Sequence, residues 1–142
     1  MTIKYLNKEL KKLGVSDDKY YLHGLYGSTD DNEKLALAIK RGKYTIEYEV
    51  YYRERDEKYS KQLFTSETKA CEYFLHKIQE EITIEKVQNV IGLNGMTVNE
   101  RLFVSGLMPE FDKTKKNNLL RAIEILQEVG LDKKSIYPIL KI

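Results

Sequence analysis

Few residues in this chain are of the types that do acid–base, nucleophilic or metal chemistry, and those few are widely spaced. There are two histidines, His23 and His76, and a single cysteine, Cys71. Neither histidine has a second ligand at the spacing of a zinc site, and one cysteine forms neither an intrachain disulfide nor a cysteine-rich metal centre. We expect His76 to be solvated on the polar side of a helix, and Cys71 to be a buried, unreactive thiol on its apolar side. The sequence therefore predicts no metal ion and no cofactor.

Sequence motifs for catalysis are also missing. The glycine pairs at positions 24 and 27 and at 92 and 95 lack both a GK[S/T] ending and G-x-G-x-x-G spacing, so neither predicts a phosphate-binding loop. There is no serine nucleophile elbow and no H-E-x-x-H motif. Glu47 and Glu49 share one face of a predicted strand, as carboxylates on any acidic strand surface do. We therefore expect that this protein is not an enzyme.

A ten-residue alternation predicts both a strand and a contact surface. From Tyr44 to Arg53, the even positions are apolar or aromatic, and the odd positions are polar except for Tyr51. This period of two predicts a strand with one face buried and the other in water. Tyrosine and arginine often dominate the energy of protein contacts. The predicted partner-binding residues belong to the water-facing row, the turn after it and a nearby loop: Glu47, Glu49, Tyr51, Arg53, Arg55 and His23. The alternative is a solvated sheet face that binds nothing.

The elements that position these residues predict an α-β-β-β-α unit over residues 1–81. Apolar residues recur at helical spacing from Ile3 to Leu13, with Thr2 as the cap and Gly14 as the stop, which predicts a helix over about 2–13. A second helix opens at residues 65–67 and lies across the sheet. Between them we expect a brief strand at 20–22, a loop at 24–33, and an antiparallel meander of three to four strands at 35–39, 44–53 and 59–63. The predicted class is α+β, with the meander flanked by helices.

Residues 82–142 predict a helical C-terminal lobe packed on that unit. Residues 82–91 are expected to be an apolar connection, and a capping box at 97–100 begins a helix that stops near Pro109. The next helix is capped by Asn117 or Asn118 and ends at Gly130. A short last helix begins at Asp132.

Charge and composition argue against two classes of partner. The 142 residues include 24 Lys and Arg and 22 Asp and Glu, and the net charge of +2 is too small by itself to indicate a nucleic-acid-binding protein. The longest aliphatic run, Leu35 to Ile39, is far shorter than the ~20 apolar residues of a membrane-spanning helix. The first residues contain no apolar secretory segment, so we expect a cytoplasmic protein.

Two stretches resemble a known class of protein. The first runs from Tyr44 to Leu75 and contains V-Y-Y-x-E-R, a polar turn, a phenylalanine and S-E-x-x-A-C-E-Y-F-L; Asp56 stands where this pattern usually has glycine. The second runs from Met96 to Leu140 and contains M-T-V-N-E-R-L-F-V-S-G-L-M, E-F-D, V-G-L and S-I-x-P-I-L. Both resemble bacterial polymorphic-toxin immunity proteins of the contact-dependent growth inhibition type or of a related toxin–immunity system.

The resemblance implies a small cytoplasmic protein, encoded beside a secreted toxin, that binds the C-terminal domain of the cognate toxin and blocks it. We hypothesise that Glu47 and Glu49 occupy a basic nuclease cleft by mimicking phosphates. Two other functions stay open on the residues alone. One is a non-catalytic interaction or adaptor domain, which gene neighbourhood would distinguish. The other, less favoured, is a regulator that binds RNA or single-stranded DNA by stacking bases on exposed Tyr and Arg.

Overall fold

Six α-helices and five β-strands make up the structure, a computed structural model that describes residues 1–142. The helices are α1 (Ile3–Lys12), α2 (Glu67–Gln88), α3 (Val98–Val104), α4 (Met108–Asn117), α5 (Leu119–Glu128) and α6 (Lys133–Leu140). The strands are β1 (Tyr20–Leu22), β2 (Tyr26–Gly27), β3 (Lys34–Arg41), β4 (Ile46–Glu54) and β5 (Glu57–Phe64). The predicted α+β class is confirmed. The chain divides into two compact units, Met1–Ile78 and Gln79–Ile142. None of the six helices has the length and apolar character that crossing a membrane requires.

The five strands form one mixed sheet in the order β2-β1-β3-β4-β5. The antiparallel pairing of β3, β4 and β5 confirms the predicted meander. The prediction of three to four purely antiparallel strands is wrong, because β1 pairs with β3 in parallel and β2 adds a further edge strand. β1 has three residues and β2 has two. Strands this short carry too little alternation to reveal their pairing direction in the sequence.

The connections of β4 differ from the predicted alternation in two places. Tyr44 lies before the strand, which begins at Ile46, so the expectation that Tyr44 faces the buried side is wrong. At the other end, Arg55 and Asp56 have φ values of 51° and 65°, the signature of a tight type I′ hairpin turn. In β5 the ladder shifts register opposite Tyr51, where Ser60 has a φ of 52° and forms a β-bulge.

Helices α1 and α2 contact one face of the sheet and form the core of Met1–Ile78. The hydroxyl of Tyr20 in β1 donates to Asn7 Oδ1 in α1, and the rings of Phe64 and Tyr73 join β5 to α2 with centroids 5.3 Å apart. Burial of each large apolar side chain contributes about 1.5–3 kcal/mol. The other buried apolar residues that this core uses are Ile3, Leu6, Leu10, Leu22, Leu35, Leu37, Val50, Ala70, Cys71, Phe74 and Ile78.

The unit Gln79–Ile142 has its own helical core. Thr97 and Glu100 form the predicted capping box at the start of α3, and Asn118 and Asp132 cap α5 and α6 as expected. The buried side chains come from α3 to α6 and the loops between them: Leu102, Leu107, Phe111, Ala122, Ile125, Leu126, Val129 and Ile136.

Two predictions for the helical region are wrong. Residues 82–88 are not a separate apolar connection but the last two turns of α2, which is 22 residues long. Pro109 does not end a helix; it lies in the first turn of α4, a helix that we did not expect. Proline is tolerated there because the first amide groups of a helix have no carbonyl partner within it.

Candidate protein-contact surface

The second face of the sheet carries the strand residues that the sequence singled out. Paired residues of antiparallel strands project to the same side, so the ladder brings the four predicted β4 residues onto one face with neighbours from β3 and β5. We call this surface the polar face and define it by ten residues: Lys34, Ala36, Ala38, Lys40, Glu47, Glu49, Tyr51, Arg53, Lys58 and Leu63.

Glu49 is fully buried on the polar face, so the expectation that it faces water is wrong. Its ladder partner is the small Ala38, and two long side chains close over the carboxylate. Lys40 Nζ lies 3.1 Å from one carboxylate oxygen and Lys58 Nζ lies 2.7 Å from the other. Burial alone would raise the pKa of Glu49, but the hydrogen bonds and charges of Lys58 and Lys40 outweigh it and hold that pKa below its ordinary value of 4.5.

Tyr51 is also buried, which again contradicts the predicted water-facing row. Its hydroxyl donates to Asp31 Oδ2 at 2.6 Å, and Lys58 Nζ lies 4.5 Å from the centre of its ring. Arg53 Nη1 reaches the other Asp31 oxygen at 3.5 Å. Burial, followed by the hydrogen bond to Asp31, raises the pKa of the Tyr51 hydroxyl well above its usual range. Asp31 was missed because it is one of several polar residues in a loop, and nothing local distinguishes it.

His23 and Arg55 both have a defined backbone role. The His23 amide donates to the Leu37 carbonyl at 2.7 Å, and its Nδ1 accepts from the Ile39 amide at 3.0 Å, so this residue extends the pairing of β1 with β3. Arg55 lies in the turn after β4, where its amide donates to Glu33 Oε1 at 3.1 Å. The structure does not bring His23 and Arg55 together, because Arg55 follows the end of β4 whereas Ile39 pairs with Tyr48 near its start.

Glu47 is the carboxylate of the predicted row that stays accessible. It is partly exposed, and its side chain lies against Gly42, where an added Cβ would come within 2.5 Å of Glu47 Oε1. The hypothesis that Glu47 and Glu49 together mimic phosphates is therefore wrong in its geometry. Glu49 is enclosed and is bound on both sides by lysines.

An exposed segment beside the polar face was not identified as a contact candidate from the sequence. We call residues 41–46 the hairpin tip, since they connect β3 to β4. The Tyr44 side chain is 89% exposed and that of Ile46 is 53% exposed. Lys43 Nζ lies 5.3 Å from the centre of the Tyr44 ring. The break at Arg41-Gly42 did separate the two predicted strands, but the alternation assigned Tyr44 to the second strand and so did not indicate its exposure.

The remaining candidates for chemistry lie apart from this surface. Cys71 is fully buried in α2, and burial raises the pKa of its thiol to about 11. His76 is exposed on the same helix. The structure places no group of three or more His, Cys, Asp or Glu side chains where they could hold a metal ion. The expectation that the Cys71 thiol is unreactive stays a prediction. Its burial and its raised pKa both support that prediction.

Comparison with known proteins adds no relative to this description. No protein-family model, no curated protein and no solved structure matches the chain.

Proposed function

We propose that this chain is an immunity-type inhibitor that binds a bacterial toxin domain and blocks it without catalysing a reaction. The observation that carries this proposal is that the stretch resembling immunity proteins folds as one packed segment, β4, its tight turn, β5 and the start of α2. Val50, Cys71 and Phe74 of that pattern are buried, and Phe64 contacts Tyr73. Residues that match because they belong to one module should pack in this way, whereas chance matches need not.

The same packing distinguishes the residues that hold the fold together from those that could contact a toxin. Most of the matching residues have structural tasks, so the resemblance concerns the fold of the module and not its choice of toxin. A standard protein interface covers about 800 Å² on each partner, close to a tenth of the 9193 Å² that this chain exposes. A cytoplasmic inhibitor would act by covering the active site of the toxin or a surface that the toxin needs.

The nucleic-acid alternative loses part of its basis. Stacking of single-stranded bases needs exposed aromatic side chains on the sheet face. Tyr51, the aromatic residue of the predicted row, is instead buried with its hydroxyl bound to Asp31. An adaptor domain without a toxin partner stays the second candidate.

Co-expression with the toxin domain encoded beside this gene tests the proposal. We expect growth rescue and a 1:1 complex on size-exclusion chromatography with light scattering. The matched control is co-expression with the Phe74→Asp variant of this chain. This substitution puts a charge into the core and should abolish both growth rescue and complex formation. If no toxin gene lies nearby, or if the domain stays toxic and unbound, the proposal is wrong and the adaptor reading takes its place.

A further inference from the structure

We infer that the hairpin tip binds an acidic surface of the toxin domain, with Arg41, Lys43 and Tyr44 as its principal contacts. This inference rests on the proposed function and adds to it the chemistry of the partner surface. The sequence alone indicated the opposite sign, an acidic row facing a basic cleft.

The exposed charged residues of the hairpin tip, Arg41 and Lys43, are both positive. Glu49 is enclosed between Lys40 and Lys58, whose side chains are 45% and 38% exposed. Arg41 and Lys43 add two further cations on the exposed hairpin tip. A partner that covers the hairpin tip meets these two cations and no carboxylate of residues 41–46, while the nearby Glu49 carboxylate is enclosed by its lysines. A carboxylate-rich surface is therefore the complementary one.

The hairpin tip has the residue types and the rigidity of an energetic contact. Tyr44 offers a large, nearly uncovered ring, and Ile46 adds apolar area beside it. The Gly42 amide donates to the Thr45 carbonyl at 2.8 Å, and Arg41 pairs with Ile46 at the end of the ladder. These contacts close the turn before binding, which lowers the entropy cost of ordering it. A partner that buries the Tyr44 ring beside Lys43 would make the kind of contact that is typical of a binding hot spot.

A protein partner fits this surface better than a nucleic acid. Proteins that bind nucleic acids tightly neutralise several phosphates, about 6–10 in well-studied cases. The hairpin tip offers two cations, and the chain as a whole has a net charge of +2. Two cations beside an exposed aromatic ring and an aliphatic side chain match a compact acidic patch with an apolar neighbour.

Charge reversal at the hairpin tip tests the inference. The toxin domain is released from the co-expressed complex in guanidinium, refolded and titrated with three forms of this chain: wild type, Arg41→Glu/Lys43→Glu, and Tyr44→Ala. We expect charge reversal to weaken binding about 100-fold or more and Tyr44→Ala to weaken it about tenfold or more. The association rate of the wild type should fall with added salt, and that of the charge-reversed variant should not. The matched control, Lys133→Glu/Lys134→Glu on exposed α6 residues, should change binding less than about threefold.

Each other outcome has its own meaning. Failure of the wild-type chain to bind the toxin domain overturns the proposed function. Tight wild-type binding that neither variant weakens leaves the proposed function standing and overturns the hairpin tip as the contact. A 20-nucleotide RNA included as a probe should not bind. Tip-dependent RNA binding would overturn the assignment of a protein partner. The substituted side chains are exposed, so circular dichroism and thermal melting should be unchanged in all variants.

Discussion

At the scale of single residues, Glu49 determines what the polar face presents to solvent. A fully buried carboxylate is unfavourable without partners, and here Lys40 and Lys58 approach it from the two neighbouring strands. The three side chains form one charge-assisted cluster on the sheet. Because the lysines stay partly exposed, the cluster covers the acid and presents its cationic side to solvent.

Replacing Glu49 with glutamine should destabilise the protein by about 1–2 kcal/mol at pH 7, because the side chain keeps its shape but loses two charge-assisted hydrogen bonds. The lysines are partly exposed and can be rehydrated, which keeps the cost below that of a fully buried pair. Urea unfolding measures the change. The control, Glu47→Gln on the same face, should change stability by less than about 0.5 kcal/mol. Equal stability of Glu49→Gln and wild type would contradict this account.

The same residue predicts a pH dependence. The folded-state pKa of Glu49 is held below the ordinary 4.5, so the folded protein binds this proton less readily than the unfolded chain. The contribution of Glu49 to stability is therefore complete above pH 4.5 and is lost as the pH falls through the folded-state pKa. The stability difference between wild type and Glu49→Gln should be constant from neutral pH down to about pH 4.5. It should shrink as the pH falls further, through the folded-state pKa of Glu49. A difference that grows in acid would reverse the assigned sign.

At the scale of elements, the β4–β5 turn has a residue that its geometry does not favour. Both central residues of a type I′ turn have positive φ, where glycine is favoured over residues with a Cβ. Asp56→Gly should therefore stabilise the protein by about 0.5–1 kcal/mol, after allowance for the greater freedom of glycine in the unfolded chain. The control, Glu57→Gly in the adjoining strand, should destabilise it by a similar amount. Urea unfolding of both variants measures the two changes, and a less stable Asp56→Gly would show that the aspartate does more than fill the turn.

The helical unit Gln79–Ile142 also contains a buried charged side chain with several polar partners, Arg121. Its guanidinium donates to Glu110 at 2.7 Å, to Glu124 at 3.3 Å and to the Thr83 hydroxyl, which connects α5 to α4 and α2. Thr83, Arg121 and Glu124 line a cavity of about 110 Å³ together with Glu80, Gln127 and Glu128. All three nitrogens of the Arg121 guanidinium donate hydrogen bonds within this unit, which indicates that Arg121 has a structural role.

Arg121→Met should lower stability by about 2 kcal/mol, since it removes three donors at once, including those of both ion pairs with Glu110 and Glu124. Arg121→Lys should recover part of this loss, because a point charge replaces the planar fork. The control is Lys115→Met, which breaks the exposed pair with Asp112 and should cost less than about 0.5 kcal/mol. Thermal unfolding compares the three variants, and an equal effect of both methionine substitutions would contradict the structural role.

At the scale of the whole molecule, local patterns predicted most of the elements. The helix caps at Thr2, Thr97, Asn118 and Asp132 form as expected, because each depends on hydrogen bonds to residues three positions along the chain. The antiparallel meander was also predictable, since its strands follow one another closely. The parallel pairing of β1 with β3 was not, because it joins short segments through a loop without a regular pattern.

The contact surface was predicted less well than the fold. The alternation correctly assigned Glu47, Glu49, Tyr51 and Arg53 to one face, but it could not give their burial. Burial of Glu49 depends on lysines nine residues before and nine residues after it, and burial of Tyr51 accompanies its hydrogen bond to Asp31, 20 residues earlier. These contacts are set by strand register, and the local pattern does not contain them.

The bulge at Ser60 bears on how the molecule behaves toward other copies of itself. β5 is an outer strand, and the open side of such a strand offers unpaired amides and carbonyls to any extended chain. The irregular backbone at Ser60 interrupts that row of pairing groups. An extended strand of another copy would therefore find fewer consecutive partners along β5, which disfavours edge-to-edge pairing of two molecules.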